Sequence, residues 1–297
     1  MDSAGVGRLV DERYVGVLYA MTAVIFCFSG TGNTWWCAQR LASSLGVRGV
    51  QTRVVSIERI GAAAAAELVA AADLVGLGWP VYGSDLPEPM KLFIDTTLPS
   101  VDRRRVFTFC TQWLFSGNGA RVYERELAAR GWAIGWSAHF RMPNNICVTV
   151  SPLSWSADPE DHTKRLEKTA RRIDRFLEAV LHGRSFSRGR GLVPAALGAM
   201  QRRPFRRWFL RLRDDISVDA ARCTRCGRCT RICPSGNLTM TPDGVVTHGT
   251  CVICLRCYNF CPVHAVRYMR RPHRPERGLP YRGPVAGFKP EELAADR

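Results

Sequence analysis

Long apolar runs are missing from this chain. The longest, Val15 to Phe28, covers 14 residues, short of the roughly 18 to 20 that cross a bilayer, so no spanning helix is expected. A secretory leader is not expected either. Asp2, Asp11 and Glu12 precede that run, and a glycine-rich loop follows it where a cleavage site would stand. These absences read as cytoplasmic. Evenly spread cysteines are missing too. Of 12 cysteines, eight fall between Cys223 and Cys261, with only Cys27, Cys37, Cys110 and Cys147 elsewhere. A disulfide framework staples a whole chain, whereas local crowding points to metal.

Acidic side chains are scarce in the second part. Residues 1–180 carry a net charge of +2, and the remaining 117 carry +14 of the total of +16. Such a field attracts acidic proteins, nucleic acid or anionic lipid. No recognition helix or aromatic-interleaved RNA motif accompanies the arginines, so nucleic acid is not an expected partner. With 297 residues, 46% of them hydrophobic, the chain has material for a large core and a second, smaller unit.

From Thr22 the pattern alternates strand and helix. Strands are expected at Ala23–Phe28, Arg53–Ile57, Leu74–Gly78, Arg105–Thr111 and Ala133–Phe140. Between and after them, helices are expected at Thr34–Leu45, Ala62–Ala72, Glu88–Thr97, Gly119–Arg130 and Pro159–Leu181. Unbroken apolar strands alternating with helices indicate an α/β doubly wound five-stranded parallel sheet. Met21 directly precedes the first core strand. Residues 1–20 therefore read as an N-terminal extension, with Met21 as a second candidate start.

The sheet domain spans 21–183. Residues 184–215 form an arginine-rich linker, with nine arginines and no acid between Gly183 and Arg213. Inside it Phe205, Trp208, Phe209 and Leu212 recur at helical spacing behind Pro204, which marks a helix start. The favoured reading is a connector helix packing that stripe on its neighbour. An interfacial membrane helix is the alternative, and at about ten residues the stripe is short for one. Residues 216–270 are the cysteine-dense module. Residues 271–297 are a Pro/Arg-rich tail whose composition suits an extended strap or partial disorder.

Cys223, Cys226, Cys229 and Cys233 with Pro234 spell C-x2-C-x2-C-x3-C-P. Cys251, Cys254, Cys257 and Cys261 with Pro262 repeat it 28 residues later. Three thiolates in a tight loop reach three iron corners of a cubane, and the fourth points to the other site. The spacing thus assigns Cys223, Cys226, Cys229 and Cys261 to one [4Fe–4S] cluster, and Cys251, Cys254, Cys257 and Cys233 to a second. Zinc is the alternative, but zinc sites pair two C-x2-C arms and need no third evenly spaced thiolate. Ile232, Val252, Ile253, Leu255 and Phe260 would keep water from the sulfides. Over about 50 residues the module resembles bacterial-type ferredoxins with two clusters.

Ser29, Gly30, Thr31, Gly32, Asn33 and Thr34 lead from the first strand into the first helix. Hydroxyls and free backbone N–H groups at a helix start make an anion cradle. It lacks the lysine of a nucleotide P-loop, and Trp35 stands where a dinucleotide fingerprint needs glycine. A terminal monoester phosphate suits it. The loop resembles the S-x-T-G-x-T phosphate loop of flavodoxins, a likeness extending over roughly residues 22 to 181. The resemblance implies FMN as cofactor, its ring between two later loops. The matching segments are Trp79, Pro80, Val81, Tyr82 and Gly83, then Thr111, Gln112, Trp113, Gly117, Asn118 and Gly119. Trp79, Tyr82 and Trp113 are the stacking candidates, with core packing an equal alternative for each. Backbone groups near Gly83, Gln112 and Gly117 would meet the polar edge.

Joined, the halves resemble flavodoxin-like/ferredoxin fusion proteins, which implies an electron-transfer flavo-iron–sulfur protein. A ferredoxin-like donor and an acceptor enzyme are the implied partners, with an acidic partner docking on the arginine-rich segment. A flavin reductase with a small substrate near Trp79, Tyr82, Trp113 and Asn144, and a redox sensor, stand as alternatives. Cys27 and Cys110 read as packing thiols, Cys37 and Cys147 have no base nearby in sequence, and His139 and His264 read as satisfied or exposed histidines, with proton donation the alternative.

Overall fold

The computed structural model describes residues 21–146, 159–274 and 279–295. Five parallel strands form its main sheet: β1 (Thr22–Cys27), β2 (Gln51–Ser56), β3 (Leu74–Pro80), β4 (Arg104–Gln112) and β5 (Trp132–Arg141). Their order is β2-β1-β3-β4-β5, the flavodoxin-like doubly wound order, in which ligands bind outside the carboxyl ends of the strands.

Both faces of the sheet are covered. Along β1 and the residue after it, Val24, Phe26 and Phe28 enter one buried cluster, and Ala23, Ile25 and Cys27 enter the other. That alternation is why the first strand reads as a continuous apolar run. Helices α2 (Ala62–Ala71), α3 (Glu88–Leu92) and α4 (Glu124–Ala129) lie over the first cluster. Helices α1 (Asn33–Gly46) and α5 (Pro159–Leu181) lie over the second. The expected helix at Glu88–Thr97 passes into a wide turn from Phe93 to Thr97. The one expected at Gly119–Arg130 is a tight turn, Gly119–Arg121, before the shorter α4.

The linker differs from expectation in two ways. Residues 186–188 bond to Ser137 along β5, so the segment begins as part of the sheet edge. Its helix, α6 (Leu192–Leu212), is 21 residues long, and Pro204 lies inside it instead of at its start. Pro204 removes one ladder bond of that helix, yet the helix continues because its inner side is held by the loops beneath. Trp208, expected within the packed stripe, is instead exposed.

The cysteine module has a two-stranded pair of β6 (Ser217–Val218) with β9 (Val266–Arg267) and a hairpin of β7 (Leu238–Thr241) with β8 (Gly244–Thr247). Short helices α7 (Arg228–Arg231) and α8 (Arg256–Phe260) follow the cysteine loops. Leu212 at the end of α6 is buried in this module's core. Among the described residues no helix is long and apolar enough to cross a membrane.

Candidate cofactor site

Gly32 begins α1 in the left-handed conformation, φ 97°, with no side-chain cap on the helix. The first N–H groups of any helix lack intrahelical acceptors, so the loop presents donors to whatever lies before it. Its own side chains brace it. Ser29 Oγ accepts from Gly32 N–H at 3.2 Å, and the Thr34 and Thr111 hydroxyls meet at 2.8 Å. Asn145 Nδ2 donates to Thr31 Oγ1 at 2.7 Å, and Asn33 Nδ2 donates to the Pro143 carbonyl at 3.1 Å. Ser29, Thr31, Asn33 and Thr34 are all buried. A neutral, hydroxyl-lined turn at a helix start fits a phosphate monoester by hydrogen bonding and the helix dipole.

The C-terminal tail lies over this loop. Tyr281 is buried and donates to Asn33 Oδ1 at 2.5 Å. A Cβ on Gly32 would come within 2.8 Å of Phe288 and of Pro284. Leu293 holds the far end of the strap by accepting a 2.6 Å bond from Ser56. Sequence reading had no signal for this contact, because the tail's Pro/Arg composition carries no periodicity.

The ring-side expectations fare unevenly. Trp79 belongs to the sheet core, fully buried with Nε1 donating to the Gly119 carbonyl at 3.0 Å. It is a packing residue, which corrects its candidacy for stacking. Tyr82 stacks on Phe209 of α6, centroids 6.2 Å apart. Phe205 lies against Gly83 and Gly198 against Gly117, so α6 covers both backbone edges expected to meet the flavin. Asn118 accepts from Arg202 at 3.2 Å. Trp113 is half-buried, Val81 N–H donates to the Thr111 carbonyl, and Pro80 ends β3. Gln112 holds Ser116.

Among the described residues, Tyr82 Oη, Asn144 Nδ2 and Arg172 Nε are buried without a partner near this end of the sheet, Arg172 lying beside Cys110 and Arg141 at the strand ends. Orphaned polar groups in a buried place indicate a missing partner. The loop residues therefore fit the phosphate end of FMN, and Tyr82 and Asn144 are among the groups left for the rest of it.

The cysteine runs repeat in three dimensions. Arg225 and Ile253, each two residues after the first cysteine of its run, share positive φ, 55° and 53°. Gly227 and Leu255 match at 69° and 58°, as do Gly236 and His264 at 63° and 53°. The same offsets recur in N–H···S bonds, from Arg225 to Cys223 at 3.4 Å and from Ile253 to Cys251 at 3.3 Å. Asn237 donates to Cys233 at 3.3 Å and Ala265 to Cys261 at 3.2 Å. Left-handed backbone at Arg225, Ile253, Leu255 and His264 is costly without glycine. It turns successive amides toward the sulfurs.

Electrostatics sorts the thiols into two sets. Burial pushes Cys229 up to about 11, followed by the neighbouring Cys261, Cys223 and Cys226 thiols. Burial likewise raises Cys257, with Cys254, Cys251 and Cys233 as its nearest neighbours and Cys229 of the other set behind them. Among the described residues no His, Cys, Asp or Glu group converges tightly enough for a single ion. Cys233, Cys251, Cys254 and Cys257 instead line one cavity together with Ile216, Leu238 and Val252. Four thiols around a small, mostly apolar hollow, with Ser235, Asn237 and Arg256 also in its wall, match the ligand set of a cubane, since a cluster needs thiolate ligands and low water access. The sets differ in exposure. Cys226 is exposed, Cys223 and Cys229 are half-buried and only Cys261 of that set is buried, while Cys233, Cys251, Cys254 and Cys257 are all buried.

Arg256, between Cys254 and Cys257, joins module to sheet. It is wholly buried and donates to Glu58 Oε1 at 2.6 Å and Oε2 at 2.9 Å. Its remaining donors reach the carbonyls of Ser29 at 2.7 Å, Gly30 at 3.0 Å and Ile232 at 2.9 Å. A Cβ on Gly30 would come 2.7 Å from the Cys254 carbonyl and 2.8 Å from Tyr82 Oη. The inner cysteine loop thus rests on the phosphate loop. Cys27, Cys37 and Cys110 are buried, and burial raises all three thiols. Cys147 lies outside the described residues.

Residues 216–238 match a 4Fe–4S binding domain. That stretch holds all four cysteines of the first run. Solved structures similar to the sheet include a flavodoxin from the domain Archaea, 17% identical, covering 55% of this chain and 100% of that one, TM-score 0.38. Two-electron reduced Megasphaera elsdenii flavodoxin is 22% identical, covering 51% and 99%, TM-score 0.36. A Treponema denticola general stress protein in complex with FMN is 13% identical, covering 54% and 98%, TM-score 0.35. No curated protein matches the chain. The strand order assigns the fold independently of these similarities. The chain joins a flavodoxin-like sheet to an iron–sulfur module.

Proposed function

We propose that this chain is an electron-transfer flavo-iron–sulfur protein holding FMN and two [4Fe–4S] clusters. When bound, FMN takes electrons singly or in pairs and the clusters pass them one at a time. The contact of the Cys254 loop with Gly30 carries this reading, because it brings the buried thiol set against the phosphate cradle. The repeated backbone of the two cysteine runs supports a second cluster, held by Cys251, Cys254, Cys257 and Cys233. Ser29 to Thr34 would hold the phosphate.

The exposure gradient supports a direction. A ferredoxin-like donor would meet the outer set at Cys226, where Arg222, Arg225 and Arg231 are exposed and suit an acidic surface. The inner set faces the sheet, and an acceptor enzyme would draw from that end. A small-substrate reductase is less well supported, because Trp79, one of the four residues expected to line its pocket, is sealed in the sheet core.

Anaerobically purified protein should contain about eight iron atoms and about one FMN per chain, as two Cys-ligated cubanes and one flavin require. Reduced ferredoxin should bleach the flavin, while small acceptors without a partner enzyme turn over slowly. Colourless protein after iron and sulfide reconstitution would sink the proposal, and rapid unaided turnover of a small substrate would replace it with the reductase.

A further inference from the structure

Helix α6 has two faces of different character. On its inner side Gly198, Phe205, Phe209 and Leu212 pack on the loops after β3 and β4, on Tyr82 and on the cysteine module. Arg202 on the same side donates to the Ser84 carbonyl at 2.6 Å. The outer side is apolar and exposed. Leu192 is 89% exposed, Val193 70% and Met200 69%, and Leu197, Trp208 and Leu210 are exposed beside them. Exposed Arg203, Arg207 and Arg211 are interleaved with these residues on the same side, as the helical period of 3.6 places them.

We propose that the outer face of α6 binds an anionic lipid surface. An amphipathic helix lying in a bilayer interface buries leucine, methionine and tryptophan among the acyl chains and sets arginine against the phosphates. The arginine stems are themselves apolar and let the guanidinium reach upward to the headgroups. The stripe read from sequence is too short for such a role, but the helix is 21 residues long. Charge complementarity is unopposed along it, with no acidic side chain between Gly183 and Arg213. Beyond its end stand Asp214, which is exposed, and Asp215, which is paired with Arg270, and beneath it Asp85 is paired with Arg206 and Lys91.

Other occupants suit the face less well. A second copy would set Arg203, Arg207 and Arg211 against like charge. An acidic protein would satisfy the arginines but offers nothing to the uncharged outer half from Leu192 to Met200. A lipid interface offers both phases in one layer. Neither the clusters nor the flavin takes part in this contact.

Flotation of the full-length, anaerobically purified protein tests it, using vesicles of phosphatidylcholine alone and of phosphatidylcholine mixed equally with phosphatidylglycerol. At least about tenfold more protein should float with the anionic vesicles, since each arginine near such a surface contributes separately. Replacing Arg203, Arg207 and Arg211 together by Gln should lower that partition on the order of a hundredfold. Leu192→Ser with Met200→Ser should lower it about tenfold through lost apolar burial. All five positions are exposed, and circular dichroism with the visible spectrum confirms that each variant is folded. Failure of the wild type to float overturns the proposal, even if it captures an acidic protein. So does flotation that Leu192→Ser/Met200→Ser leaves unchanged, since diffuse attraction by the +16 chain would then suffice.

Discussion

Arg256 and Glu58 form a buried ion pair, 2.6 Å apart, across the boundary between the cysteine module and the flavodoxin-like sheet. Every N–H of the guanidinium has an acceptor, and those acceptors belong to three separate segments: Glu58 after β2, the phosphate loop, and Ile232 beside Cys233. A charge removed from water at such cost is retained only with this degree of satisfaction. The pair fixes where the inner thiol set stands relative to the cradle.

Breaking the pair should be expensive. Arg256→Met leaves Glu58 charged and buried, and should destabilise the holoprotein by about 3–5 kcal/mol. Adding Glu58→Gln to Arg256→Met should recover part of that loss, because the uncompensated charge is gone. Denaturant titration of the single and double variants checks both statements, and equal losses in the two would contradict them.

The two thiol sets should separate by substitution. Cys226→Ser, in the exposed set, and Cys254→Ser, in the buried set, should each lower iron from about eight to about four per chain. Cys254→Ser should also loosen FMN, since its loop rests on Gly30, whereas Cys226→Ser should leave flavin content unchanged. Iron, sulfide and flavin assays on the same samples decide the matter.

Phosphate recognition should reside in the loop and not in the aromatics. Thr34→Val removes the 2.8 Å contact with Thr111 and should weaken FMN by about tenfold, the scale of one hydrogen bond to a charged group. Riboflavin, which lacks the phosphate, should bind equally to wild type and variant. Fluorescence titration of each apoprotein distinguishes them; an equal loss for both ligands would assign Thr34 a purely structural role.

Acid should destabilise the sheet domain through His139. Burial first, then Arg172 and Arg188, hold its imidazole down to about 4, with Ser116 Oγ 2.9 Å from Nδ1. The unfolded chain, with an ordinary value near 6.5, takes up the proton first. Stability is therefore full above that value and falls as pH drops toward 4, by roughly 3 kcal/mol at most. His264 is also lowered, by burial and then Arg282, and acts in the same direction. His139→Gln should flatten the stability profile between pH 6.5 and 4, measured by urea denaturation at stepped pH. An unchanged slope would assign the acid response elsewhere.

Much of this was legible from local pattern. β1 reads as a buried strand because side chains alternate between two covered faces, and Ser29 to Thr34 reads as an anion cradle because hydroxyls and free N–H groups gather there at a helix start. The cysteine spacing likewise carries its own geometry, since three thiols within one loop need no distant information. Trp79 was ambiguous for the same reason reversed: an aromatic at a strand end has the same local sequence whether it faces a ligand or the core. The Gly119 carbonyl that claims its indole N–H lies across the fold.

The sequence by itself determined the five-strand alternation, the phosphate loop and the two cysteine runs, all of which are set by contacts and periodicities within a few residues. Only the tertiary structure decided that Arg256 binds Glu58, that Tyr281 and Phe288 lie over the phosphate loop, and that α6 presents Leu192 and Met200 outward. Those features pair residues far apart in the chain, where an arginine among many or a leucine in a polar segment has no local mark. Their energies come from burial and hydrogen-bond geometry, which exist only once the distant segments have met.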